Sequence, residues 1–108
     1  MENKFTFKEY KFPNGETIKC TVCFAMLMKL RAKNKEIYDV VNNGLLYGVA
    51  DMATSAELLY GAYLCACYAG ENGGVDAALQ KDEFIQNLDD DLVNVYALCV
   101  SLVNKKKN

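Results

Sequence analysis

Five cysteines and a run of aspartates are the residues of this 108-residue chain whose types and spacing suit chemistry. Cys20 and Cys23 form a C-x-x-C pair and Cys65 and Cys67 a C-x-C pair, four thiolates that in principle suit zinc. Neither pair sits on a glycine-containing knuckle. Two residues two apart on a helix also point to different sides, so Cys65 and Cys67 do not converge. A thioredoxin-type redox role needs a βαβ pattern around the C-x-x-C, and none surrounds Cys20. Cysteine otherwise behaves as a small, deeply buried hydrophobe, and core packing is the reading carried forward. Asp89-Asp90-Asp91 lacks the glycine and distal glutamate of a calcium loop, and it suits the positive end of a helix dipole. Gly73-Gly74 has no following Lys-Ser/Thr and is not a phosphate loop. The chain contains no histidine, which excludes Ser-His and Cys-His nucleophile pairs and His-ligated metal. No constellation argues for an enzyme, and no catalytic, cofactor-binding or metal-ligating residue is assigned.

The elements that position these residues read as mainly α, four to five helices with a short N-terminal β-hairpin. Residues 4–10 alternate, with Phe5 and Phe7 on one side and Lys4, Thr6 and Lys8 on the other, as in a half-buried strand. Pro13-Asn14-Gly15 is a turn signal, and Thr17-Ile18-Lys19-Cys20 reads as the return strand. From Thr21 the period becomes helical, with Val22, Cys23, Met26, Leu27 and Leu30 on one face and Lys29, Arg31 and Lys33 at the C-terminal end. Asn34 reads as the N-cap of a short helix with Ile37, Val40 and Val41 inward, stopped at Asn42-Asn43-Gly44 with Gly44 as a left-handed cap. Leu45 to Ala50 then reads as an apolar connector.

Thr54-Ser55-Ala56-Glu57 fits a capping box for a central helix, 55–69, that is apolar nearly all round and ends at Glu71-Asn72-Gly73-Gly74. Such a helix is either central and buried or part of an oligomer interface. Lys81 to Leu88 reads as a short helix with Phe84, Ile85 and Leu88 as its apolar side. The last helix, 91–104, places Leu92, Val95, Tyr96, Cys99, Val100 and Val103 on one face. With the central helix it is expected to make the core. The whole is expected to be one helical domain over 1–104, its hairpin at about 4–20, with a basic tail at 105–108.

Composition narrows the function classes. Apolar residues make up 52% and Gly and Pro are few, which suits a packed core rather than a disordered chain. The uncharged run Leu58 to Gly70, 13 residues, is shorter than the ~20 a membrane-spanning helix needs. The N-terminal residues lack the apolar region of a signal peptide, and free thiols of a cytoplasmic protein are the expectation. A net charge of −2 is no signature of nucleic-acid binding. It hides an asymmetry, since residues 1–35 carry +5, residues 36–104 carry −10, and Lys105 to Lys107 add +3. Opposed blocks of this kind favour ordered self-association or a charged partner.

Several stretches together carry a resemblance. A hairpin leads into Thr21 to Leu30, which closes on Lys29-Leu30. After a polar break comes Glu57-Leu58-Leu59-Tyr60-Gly61-Ala62-Tyr63, then Lys81-Asp82-Glu83-Phe84 and an amphipathic last helix. In size and element order, over about residues 4–104, the chain resembles the small tail assembly chaperones of long-tailed bacteriophages and prophages of Gram-positive hosts. The resemblance implies a non-enzymatic protein without cofactor that binds the tape measure protein and keeps it soluble while the tail tube assembles. It also implies a place in the host bacterial cytoplasm and not in the mature virion. A frameshifted longer product would engage the tail tube protein, and Lys105 to Lys107 are where a slip site is expected. Met26, Met28 and Met52 suit adaptable apolar contacts. Leu45, Leu46 and Tyr47, with the hairpin, are the expected walls of a partner-binding groove. The alternative is a small regulatory or zinc-binding helical interaction module.

Overall fold

The hairpin is built from β1 (Lys8–Lys11) and β2 (Thr17–Cys20), antiparallel with Tyr10 opposite Ile18 and Lys11 opposite Thr17. In this computed structural model, which describes the backbone of residues 6–107 and the side chains of 6–104, five α-helices follow. The fold is mainly α, as expected. The first strand lies further along the chain than the alternation at 4–10 suggests. It runs up to the turn, where the Phe12 amide donates to Glu16 O (2.8 Å) and the Gly15 amide to Phe12 O (2.9 Å). Its inward residue is Tyr10, followed by Phe12 at the turn; Phe7 is half-buried and Phe5 lies outside the described residues.

Helix α1 (Phe24–Lys33) begins three residues later than its periodicity. Thr21 is held by tertiary bonds instead. Its amide donates to Ala62 O (3.0 Å) and its hydroxyl to Thr6 O (2.8 Å). Val22, Met26, Leu27 and Leu30 are buried and Cys23 is half-buried. Asn34 caps α2 (Lys35–Tyr47), its side-chain oxygen accepting from the Ile37 amide at 3.2 Å.

Asn42-Asn43-Gly44 does not stop α2, and Leu45 to Tyr47 are its last turn rather than a connector. Gly44 is a buried helical residue whose missing Cβ leaves room for Leu58 Cδ1. The cap is Gly48, at φ 94°, its amide donating to Gly44 O (2.9 Å). The capping box at Thr54 is not formed either. Asp51 caps α3 (Met52–Tyr68) by accepting from the Thr54 amide at 2.8 Å, and Glu57 reaches forward to Lys81 Nζ at 3.1 Å.

Every residue from Leu58 to Cys67 is buried, so α3 is the centre of the molecule, with α1, α2, α4, α5 and β2 packed around it. It ends earlier than the Glu71-Asn72-Gly73-Gly74 signal. Glu71 N bonds Ala66 O and Gly70 N bonds Cys67 O, each 2.9 Å, a closing pair allowed by Gly70 at φ 94°. Helix α4 (Lys81–Leu88) has the expected bounds, with Phe84 and Leu88 buried. The inward residues of α5 (Leu92–Lys107) are Val95, Cys99, Leu102 and Val103. Leu92 is not among them: it is 46% exposed, and Tyr96 and Val100 are half-buried. Just before the helix, Asp91 accepts a hydrogen bond from the Tyr10 hydroxyl (2.8 Å).

Candidate functional site

The residues of α2 sort by its 3.6-residue period. Ile37, Val41 and Gly44 face α3 and are buried. Val40, Asn43 and Tyr47 fall on the flank, where α2 ends against the start of α3. Together with Gly44, Gly48, Ala50 and Thr54 they line an open groove of about 420 Å³. The lining is apolar apart from Asn43, Thr54 and the tyrosine hydroxyl. Glycines at 44 and 48 supply backbone rather than side chain to the lining.

The three residues singled out as partner-binding do not share one surface. Leu45 is half-buried against the core. Leu46 and Tyr47 stand out from the helix end, 56% and 80% exposed, and of the three only Tyr47 lines the groove. The hairpin contributes no wall. Its apolar residues Tyr10, Phe12, Ile18 and Cys20 are turned into the core. Met52, at the start of α3, is 41% exposed and Met28 45%, whereas Met26 is core. Val40, Asn43, Gly44, Gly48, Ala50 and Thr54 were not legible as a site. Reading Asn42-Asn43-Gly44 as a helix stop separates them, and continuing the helix unites them.

The thiols are distributed through the interior. Cys20, Cys65, Cys67 and Cys99 are buried and Cys23 is half-buried, all unpaired. Burial pushes the Cys65 and Cys99 thiols up to about 12, and Cys20 and Cys67 upward as well. Cys99 donates to Ser55 O at 3.1 Å. Cys20, Cys65, Cys67 and Cys99 are therefore poor nucleophiles at neutral pH. Among the described residues no group of three or more His, Cys, Asp or Glu side chains is placed to hold a metal ion.

The aromatic residues form a cluster on the far side of α3. Phe84 packs against Phe12, Tyr60 and Tyr63 with ring centroids 5.5, 5.2 and 4.9 Å away. Tyr60 donates its hydroxyl to Leu79 O and Tyr63 accepts from Leu79 N, both 2.9 Å, clamping the segment before α4. Their roles are therefore structural. No helix among the described residues is long and apolar enough to cross a membrane. Comparisons with family models, curated proteins and solved structures found no match to this chain.

Proposed function

We propose that this protein is a tail assembly chaperone that binds the tape measure protein of a long-tailed phage and keeps it soluble during tube assembly. The observation that carries the reading is the end of α2. Leu46 and Tyr47 are held on a rigid helix, exposed, beside an open groove floored by glycine backbone. The helix and its Gly48 cap have already ordered the backbone there, so binding costs only the rotamer freedom of the two side chains. A groove of about 420 Å³ accepts one or two large side chains, not a whole helix. The partner would then lie across the α2–α3 corner and insert an apolar residue beside Tyr47, as amphipathic helices do in helix-in-groove recognition.

Substitution at the corner tests this. Leu46→Ser with Tyr47→Ser is expected to weaken binding of a soluble tape measure segment at least tenfold, about 1.4 kcal/mol. Stability should change by no more than ~0.5 kcal/mol, because both residues are exposed. Co-expressed full-length tape measure protein should pass into the insoluble fraction. Undiminished binding by the double variant would remove the site. Failure of the unsubstituted protein to bind or solubilise any tape measure chain would remove the function.

A further inference from the structure

In the sequence the opposed charge blocks suit self-association or a charged partner, and the apolar central helix suits burial or an oligomer interface. Residues 58–67 of α3 are buried within the described chain, so a contact between copies has to lie elsewhere. Besides the α2–α3 corner and Val75, two exposed apolar surfaces stand out, and each carries unpaired charge of one sign. The outer face of α1 shows Phe24, 70% exposed, and Met28, 45% exposed, with Ala25 and Ala32 also exposed beside them. On a helical wheel Arg31 and Lys29 flank this apolar stripe on its two sides. At the corner between α4 and α5, Leu92 is 46% and Val93 73% exposed, next to exposed Asp89 and Asp90. Neither pair of charges makes an ion pair within the described chain. Helices α1 and α5 each pack on α3 and have no substantial contact with one another, so the two surfaces are separate.

We infer that the outer face of α1 in one copy docks on the α4–α5 corner of the next copy. Phe24 and Met28 cover Leu92 and Val93, while Lys29 and Arg31 meet Asp89 and Asp90. A second copy fits because each surface presents the charge that the other lacks. Like would repel like if α1 met α1 or corner met corner. The contact uses two different patches, so it is heterologous. It leaves a free patch of each kind at the ends and builds a ring if the rotation closes, or a filament if it does not. The apolar area is small, so association is weak and salt-sensitive. The inference stands apart from the partner-binding corner at α2–α3 and holds or fails without it.

Sedimentation of the full chain and two charge variants tests it. Lys29→Glu with Arg31→Glu makes the α1 face acidic. Asp89→Asn with Asp90→Lys makes the corner basic, and Asn is used at position 89 because its φ of 55° suits asparagine. The unsubstituted protein should form species beyond the dimer at ~0.1–1 mM and low salt, and dissociate at ~0.5 M salt. Each charge variant alone should associate at least tenfold more weakly. An equimolar mixture should recover association, since every α1 face then finds an opposite corner. Phe24→Ser in both variants should abolish that recovery, which separates the docked contact from bulk charge attraction. A monomer throughout for the unsubstituted protein, undiminished association by either variant, or a mixture that stays dissociated would each overturn the pairing. Recovery that survives Phe24→Ser would overturn the apolar contact.

Discussion

Gly61 lies where α2 crosses the middle of α3, and replacing it with alanine sets two effects of opposite sign against each other. Alanine in a helix interior is favoured over glycine by roughly 0.5–1 kcal/mol. Against this, a Cβ at Gly61 would overlap Val41 Cγ2 and lie 2.9 Å from Ile37 Cγ2 and 3.6 Å from Leu30 Cδ2. Val41 and Ile37 are 0% and 2% exposed, and β-branched side chains in a helix hold essentially one χ1 rotamer. They cannot swing aside, so α2 itself must back away. Overpacking of this kind costs typically 1–3 kcal/mol, and the net expectation is a loss of about 1–2 kcal/mol. For a domain of this size that lowers Tm by about 5–15 °C. Gly44→Ala is the internal control. Its Cβ overlaps only the Leu58 Cδ1 tip, with Leu58 Cγ at 3.7 Å and Val103 Cγ1 at 3.9 Å in ordinary contact. One γ-branched side chain end has to shift rather than two β-branched ones, so the loss should be smaller than at Gly61 by ~1 kcal/mol. Urea unfolding followed by far-UV circular dichroism reads both, as a shift of midpoint at constant slope. Adding Val41→Ala to Gly61→Ala should relieve the overlap and reveal a coupling above ~0.5 kcal/mol. Gly61→Ala as stable as the unsubstituted protein would refute the reasoning, because helix propensity would then outweigh a contact that the packing describes as rigid.

Cys23 should be the first thiol labelled by a thiol reagent in the native state, with Cys20, Cys65 and Cys99 reacting only on unfolding; prompt labelling of all five, read by mass spectrometry, would contradict their burial. Asn72 bonds the backbone of Lys19 twice, accepting from its amide at 2.8 Å and donating to its carbonyl at 2.9 Å, from a φ of 58°. Asn72→Ala should cost about 2–3 kcal/mol from lost bonds and left-handed strain, and Asn72→Gly about 1 kcal/mol less than that, as measured by urea unfolding. Hydrogen bonding from Thr54 holds the Asp51 carboxyl below its ordinary 3.8. Its contribution is therefore present above that value and lost as pH falls through the lowered one. Asp51→Asn, which keeps a capping oxygen, should flatten the acid side of the Tm-against-pH curve relative to the unsubstituted protein.

Local signals were legible where the chain's neighbours in sequence also decide the structure. The return strand Thr17–Cys20, the Asn34 cap and the bounds of α4 all follow from residues within one turn of each other. The structure departs from the local signal where a distant contact overrides it. Gly44 is a good stop signal, but the approach of Leu58 uses the missing side chain inside the helix instead. Thr54 and Glu57 fit a capping box, but Asp51 reaches the Thr54 amide first and Lys81, far along the chain, takes Glu57. Thr21 matches the period of α1 but is held by Ala62 and Thr6.

The surface was harder to read than the core for a different reason. Periodicity finds an apolar face when the other face is polar, as in α2. In helix α1 the period picks out the covered side, Met26, Leu27 and Leu30, but it does not show that the opposite side carries a second apolar pair, Phe24 and Met28, left exposed. The deciding information is α3. A helix buried over its whole circumference must be surrounded, and α1, α2, α4 and α5 each spend one apolar face on it. Apolar side chains beyond that single face, among them Phe24, Met28, Leu46, Tyr47, Leu92 and Val93, are left exposed among the described residues. The all-apolar sequence of α3 was thus informative about binding only indirectly. It is not itself a contact surface; by consuming the inward faces of its neighbours it leaves their second apolar faces exposed, and those are the surfaces on which a partner or another copy can act.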